Sequence, residues 1–160
     1  MQAKTLIPSA AAVLATGVVG GLASRPAQSG WFKRIRKPAY QPPGPVFPIV
    51  WNALYTDIAV VSAATLDELE RQGRTEERRR YIAALGANLA LNASWSWIFF
   101  SQRRLGTAAV AAGVLAASSA DLTRRAAAVR GKAAAPLGFY PLWCAFATVL
   151  SSHIWWLNRR

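Results

Sequence analysis

Five stretches of about 18 to 23 residues, rich in apolar side chains, alternate with Arg-rich segments along this chain. That spacing leaves few folds open. Crossing the hydrocarbon of a bilayer as a helix takes about 20 apolar residues. A backbone in lipid must also satisfy its own hydrogen bonds, which makes helices the only structure suited to segments like these. The stretches lie at about residues 5–24, 46–66, 81–101, 105–122 and 135–157. They predict an all-α membrane protein, a five-transmembrane-helix bundle forming one domain over residues 1–160. The first stretch has features of a signal peptide. Its apolar run is longer than the usual h-region, and Gly17-Val-Val-Gly-Gly21 has the spacing of closely packed membrane helices, so a retained helix is expected. The fourth stretch is Ala-rich and weakly apolar, and is expected to insert as the return of a helical hairpin.

The connections hold most of the charge. A formal net charge of +12 at pI 11.3 would suit a soluble nucleic-acid binder. Cations placed beside apolar blocks instead suit lipid headgroups, so a bilayer and no nucleic acid is expected as the partner. Seven Trp, six Phe and four Tyr exclude disorder. A single Cys144 excludes a disulfide framework, and a single His153 leaves no Cys/His metal site. The connection 25–48 carries six prolines with Trp31, Phe32, Tyr40 and Phe47, which predicts an ordered loop rather than a linker. Residues 67–80, with five acids and five Arg, read as a solvated connection, and so does the basic run from Arg124 to Lys132. Five helices put the termini on opposite sides of the membrane. Lys and Arg then divide ten against nine, so the positive-inside rule does not orient the chain.

Several side chains inside the blocks are candidates for chemistry. Trp51 and Tyr55 share a face at i, i+4; Asn88, Asn92 and Trp95 line one side of the third helix; Trp143, Ala147 and Ser151 form a stripe on the fifth. Flat aromatic walls, small residues and two amides suit a large planar apolar ligand, with interhelical packing as the plain alternative. Asp57 is the one acid deep in an apolar block and is expected to face the interior or water and to have a partner. His153 is expected as an interfacial polar residue rather than a haem ligand. Cys144 is expected as a small buried hydrophobe. Trp155 and Trp156 read as an interfacial anchor.

Taken in order, these residues resemble a known family. Lys37-Pro38-Ala39-Tyr40-Gln41-Pro42-Pro43, Val46-Phe47-Pro48, Trp51 and Leu54-Tyr55 are similar to the first loop and second helix of the translocator protein family, the TspO or tryptophan-rich sensory proteins, also called peripheral benzodiazepine receptors. Leu89-Ala90-Leu91-Asn92, Trp95 and Ile98-Phe99-Phe100 look like its third-helix motif. Tyr140-Pro141, Trp143, Ala145-Phe146-Ala147-Thr148 and Leu150 look like its fifth.

The resemblance implies a five-helix bundle, often a homodimer, that binds tetrapyrroles such as protoporphyrin IX or haem. It also implies sterol or synthetic benzodiazepine ligands in some members. No cofactor is required. The ligand site would be Trp31, Tyr40, Pro42, Pro43, Trp51, Tyr55, Asn88, Asn92, Trp95, Trp143, Phe146, Ala147, Leu150 and Ser151, closed by a lid loop over residues 25–45. Trp51 and Trp143 match the pair tied, in bacterial relatives, to light-driven porphyrin breakdown, so a degrading enzyme is the first alternative to a sensory binding protein. A porphyrin or sterol transporter is the second, although the five helices show no inverted repeat. Lys33, Arg34, Arg36 and Lys37 could meet porphyrin carboxylates or lipid headgroups. Three departures stand out. Tyr40 replaces a frequent Trp, Ser151 replaces an Asn, and Ser152 and Trp156 break the cholesterol-recognition pattern of animal members. The Ala- and Arg-rich composition points to a bacterial cytoplasmic membrane over a mitochondrial outer membrane.

Overall fold

The computed structural model describes residues 2–24 and 30–159. Residues 25–29 of the expected lid loop, with Arg25 and Pro26, lie outside the described residues. The described residues form α1 (Ala3–Ser24), α2 (Gly30–Arg34), α3 (Val46–Arg71), α4 (Thr75–Ser96), α5 (Leu105–Arg130) and α6 (Phe139–Asn158). A π-helical turn, Trp97–Ser101, ends α4, and a 3-10 segment, Gly131–Gly138, joins α5 to α6. No strand occurs among the described residues. Three stretches are long and apolar enough to cross a membrane: Ala3–Ala23, Val46–Arg71 and Leu105–Asn158. The third contains both α5 and α6.

The helices run on into two of the connections. Residues 67–80 are helical apart from Gln72, Gly73 and Arg74, and the basic run from Arg124 continues α5 as far as Arg130. The reason is local pairing. Arg71 bonds Glu68, Arg80 bonds Glu76, and Arg124 and Arg125 both bond Asp121, all at i, i+3 or i, i+4 spacing. Such pairs support a helix after its apolar face has ended. At 26 residues each, α3 and α5 are about 39 Å long, longer than a hydrocarbon core of about 30 Å, so their charged ends reach the headgroups.

The hairpin between α3 and α4 closes on Gly73 at φ +68°, with Gly73 N–H donating to Glu70 O and Arg74 N–H to Leu69 O. This pair of bonds caps the last carbonyls of α3, and its left-handed residue is glycine because a Cβ would clash there. The Arg74 guanidinium pairs with Glu77 and holds its carboxyl below the usual range. A depressed carboxyl stabilises above its ordinary pKa, so this contact helps the hairpin at neutral pH and is lost on acidification.

Helix α1 packs against α3 and α4, and α5 packs along α6. The Gly17–Gly21 pair does not act as a pair. A Cβ on Gly17 would lie 3.2 Å from Tyr55, one on Gly20 would lie 3.2 Å from Ser96, and one on Gly21 would meet nothing within 4 Å. The close approach is therefore within the chain. At the far end from the lid, Asp67 accepts from Gln2 N–H at 2.6 Å and from the Thr5 hydroxyl at 2.5 Å, and Lys4 pairs with Glu70 at 2.8 Å. Ser62 and Tyr81, both buried, bond at 3.0 Å and tie α3 to α4.

Gly131 ends α5 at φ +55°, ψ −131°, a conformation essentially reserved for glycine. Gly131→Ala is expected to destabilise the α5–α6 connection by about 1–3 kcal/mol. A thermal melt in detergent should show the lower midpoint, whereas Gly21→Ala, placed in open space, should melt like the parent chain.

Candidate functional site

The helices arrange the expected site residues around one buried hydrogen-bond chain. The Tyr55 hydroxyl donates to Asn92 Oδ1 at 2.9 Å, and Asn92 Nδ2 donates to the Tyr140 hydroxyl at 3.2 Å. Tyr140 in turn donates to Asn88 Oδ1 at 2.8 Å, and Asn88 Nδ2 donates to Ser118 Oγ at 3.1 Å. Four helices, α3, α4, α6 and α5, are tied through this one line. Asn88, Asn92 and Tyr140 are buried. An apolar interior would make an unpaired amide or hydroxyl costly, so the pairing largely dictates helix register.

Aromatic rings surround that chain. Trp51 lies 5.5 Å from Tyr55 and 6.4 Å from Tyr140, centroid to centroid. Trp143 lies 5.9 Å from Phe47 and 5.4 Å from Phe146, and Phe146 meets Tyr40 of the lid at 6.4 Å. These contacts are tilted or edge-on, the arrangement ring quadrupoles prefer. The rings of the expected pocket therefore pack on one another.

Trp31 and Trp95 fall in a second cluster. Trp95 stacks on Phe99 at 5.3 Å, and Trp31 and Phe32 of α2 meet Phe99 edge-on at 6.3 and 6.2 Å. Leu150 is buried in this same cluster. The π-helical turn presents these rings. Gln102 N–H donates to Trp97 O, and the wider turn sends Trp97 outward while Phe99 points in. Arg103 follows with φ +55°, a left-handed conformation unusual for a residue with a Cβ, and its guanidinium lies 5.4 Å over Trp31.

Residues 35–45 cross the end of the bundle as a lid. Tyr40 OH and His153 Nδ1 bond at 3.1 Å. Asn158 holds the other anchor, accepting from Arg36 N–H at 2.9 Å and donating to Arg36 O at 2.8 Å. Pro42 is half-buried and Pro43 exposed. On the outer side of α6 a cleft of about 610 Å³ is lined by Tyr40, Thr148, Val149, Ser152, His153, Trp155 and Trp156, a wall that excludes Trp51 and Trp143. Ser151 is buried and Ala147 half-buried, and no contact of either to the aromatic array stands out. Cys144 is buried in the main core.

Asp57 departs from its expectation. Its Oδ2 is buried with no hydrogen-bond partner among the described residues, although a partner was expected. Two more buried polar atoms near the lid lack partners among the described residues: Trp95 Nε1, a donor, and Gln41 Oε1, an acceptor.

The sequence places Tyr140 in the fifth-helix motif but not in the expected site, although it lies three residues before Trp143 on the same helical face and is the centre of the hydrogen-bond chain. Sequence reasoning missed Ser118. Nothing in the Ala-rich stretch separates Ser118, which accepts from Asn88, from Ser119, which bonds its own helix at Ala116 O.

Comparison with known proteins gives a consistent result. The model of the TspO/MBR family matches residues 9–157. A translocator protein of Homo sapiens is 32% identical over 151 residues, covering 94% of this chain and 85% of that protein. The translocator protein of Ovis aries is 31% identical over 158 residues, covering 97% and 88%. The tryptophan-rich sensory protein of Cereibacter sphaeroides is 33% identical over 78 residues, covering 49% and 45%. With its apolar helices, the chain is an integral membrane protein like these relatives.

Removing the Tyr140 hydroxyl would leave Asn88 Oδ1 and Asn92 Nδ2 each without a partner. Tyr140→Phe is expected to lower stability by about 1–3 kcal/mol, read as a lower thermal midpoint in detergent. Thr148→Val, which only frees a hydroxyl bonded to its own helix at Cys144 O, should change little.

Proposed function

The chain belongs to the TspO/MBR family, and on that premise we propose that it is a membrane receptor for a planar tetrapyrrole of the protoporphyrin IX or haem type, with a sensory or regulatory role. In this reading α1, α3, α4, α5 and α6 each cross the bilayer, and the ligand lies between α3 and α6 beneath residues 35–45. A second copy docks on the outward face of α4, where Gly86 is open and Ile82 and Ala90 are exposed.

One observation carries the reading. Trp51 packs on Tyr55 and Tyr140 of a bonded polar line, Trp143 packs on Phe146 further along the helix that carries Tyr140, and Phe146 meets Tyr40 of a lid held through few polar contacts. The bonded line fixes the backbone of the walls, and a flat ligand entering there would turn the half-buried rings of Trp51 and Trp143 from edge-on to face-on. Trp95 Nε1 and Gln41 Oε1 add an uncommitted donor and acceptor at the same end of the bundle. A relative named tryptophan-rich sensory protein supports the sensory role.

The test is a titration with protoporphyrin IX in the dark, following tryptophan fluorescence of the detergent-purified chain. Saturable quenching at about micromolar ligand is expected. Trp51→Phe and Trp143→Phe should each weaken it about tenfold, the loss of one good ring contact. Equal, non-saturating quenching in parent and variants would sink the proposal, because it would mean partition into the micelle. Tyr40→Phe removes the bond to His153 and should speed ligand entry in stopped-flow mixing, with fluorescence at saturation unchanged.

A further inference from the structure

Lys and Arg divide almost evenly between the two ends of the bundle, but Asp and Glu do not. Asp67, Glu68, Glu70, Glu76 and Glu77 lie where α3 meets α4, and Asp121 lies in the half of α5 that runs toward the same end. Asp57 is mid-helix. That accounts for every acidic side chain in the sequence, and none belongs to the lid end. The ion pairs follow the same division. Each one formed among the described residues uses Lys4, Arg71, Arg74, Arg79, Arg80, Arg124 or Arg125, all at the far end.

The lid end holds Lys33, Arg34, Arg36, Lys37, Arg103, Arg104 and Arg159 with no carboxylate side chain to neutralise them. Lys33, Arg34 and Arg36 are exposed, directed outward rather than toward Trp51 and Trp143. Two cations are positioned by rings: Lys37 Nζ lies 4.6 Å over Phe32, and Arg103 lies 5.4 Å over Trp31. A third, Arg159, lies 5.5 Å over Trp156. Trp97, Trp155 and Trp156, which are 42%, 43% and 54% exposed, stand at this end too. Exposed Trp side chains settle at headgroup level, so lipid phosphates and these cations share one height.

We infer that the lid end is a docking surface for anionic phospholipid headgroups, stronger than the far end, where six carboxylates offset six of ten cations. The occupant is lipid rather than a soluble anion because the surrounding tryptophans seat this surface in the headgroup layer. Lys37 and Arg103, each held over a ring of α2, are cations that lipid phosphates meet there, whatever the ring array below binds.

Spin-labelled phosphatidylglycerol and phosphatidylcholine, each at trace level in phosphatidylcholine vesicles holding the full chain, give the relative association constant by electron paramagnetic resonance. A preference of about fivefold for phosphatidylglycerol is expected. The variant Lys33→Gln/Arg34→Gln/Arg36→Gln/Lys37→Gln should lose it. Lys4→Gln/Arg79→Gln/Arg80→Gln/Arg124→Gln, an equal change of charge at the far end, should keep it. On the parent chain, which needs no altered residue to fold, 0.5 M NaCl should abolish the preference. No preference, or equal loss in both variants, overturns the inference. So does displacement of the labelled lipid by millimolar inorganic phosphate beyond the effect of NaCl at matched ionic strength, which would mark a site for free anions.

Discussion

The interior of this bundle depends on one line of hydrogen bonds, Tyr55–Asn92–Tyr140–Asn88–Ser118. Its polarity runs one way, each member donating a hydrogen bond to the next. Two amides and a tyrosine hydroxyl amid apolar side chains would strongly oppose burial if left unbonded. Bonded in sequence, they instead penalise any sliding of α3, α4, α5 or α6, since a slip of one residue would break several bonds together. The apolar core gathers the helices, and this line selects how they mesh.

Around it the structure separates two tasks. The rings near the hydrogen-bond line, with Trp51 and Trp143, belong to the main core, whereas Trp31, Trp95 and Phe99 form a distinct aromatic pad under α2. The π-helical turn ends α4 at this pad, Gln102 N–H donating to Trp97 O, with Trp97 exposed and Phe99 buried. Arg103 then accepts a left-handed backbone with its side chain over Trp31. A conformation that glycine would adopt more readily has been kept for a cation, which gives the position a use beyond turning the chain.

Helix type and order were legible from the apolar blocks, because membrane-length runs admit little else. Where the blocks end was legible only in part. Hydropathy stops at about Leu66 and Leu122, whereas the helices continue on ion pairs to Arg71 and Arg130. Gly73 would have marked the hairpin had turn chemistry been weighed beside hydropathy. In the site, the i, i+4 spacing joined Trp51 to Tyr55 and the amides to each other, as the geometry has them. The spacing could not separate Trp31 and Trp95 from Trp51 and Trp143, since no periodicity reports which cluster a ring enters. The bonds from Tyr40 to His153 and from Arg36 to Asn158 span 113 and 122 residues, a range at which one sequence without relatives carries no pairing signal.

That last separation bears on how the molecule is made. A ribosome releases Arg36 of the lid 122 residues before Asn158, so neither lid anchor exists until α6 has emerged. Until α4 and α6 emerge, Trp31, Phe32 and Tyr40 must wait without their ring partners Phe99 and Phe146. Closure of such a distant loop comes late in folding. Nascent chains stalled before α6 would accordingly carry an unfastened lid, open to protease, while finished ones would resist cleavage there.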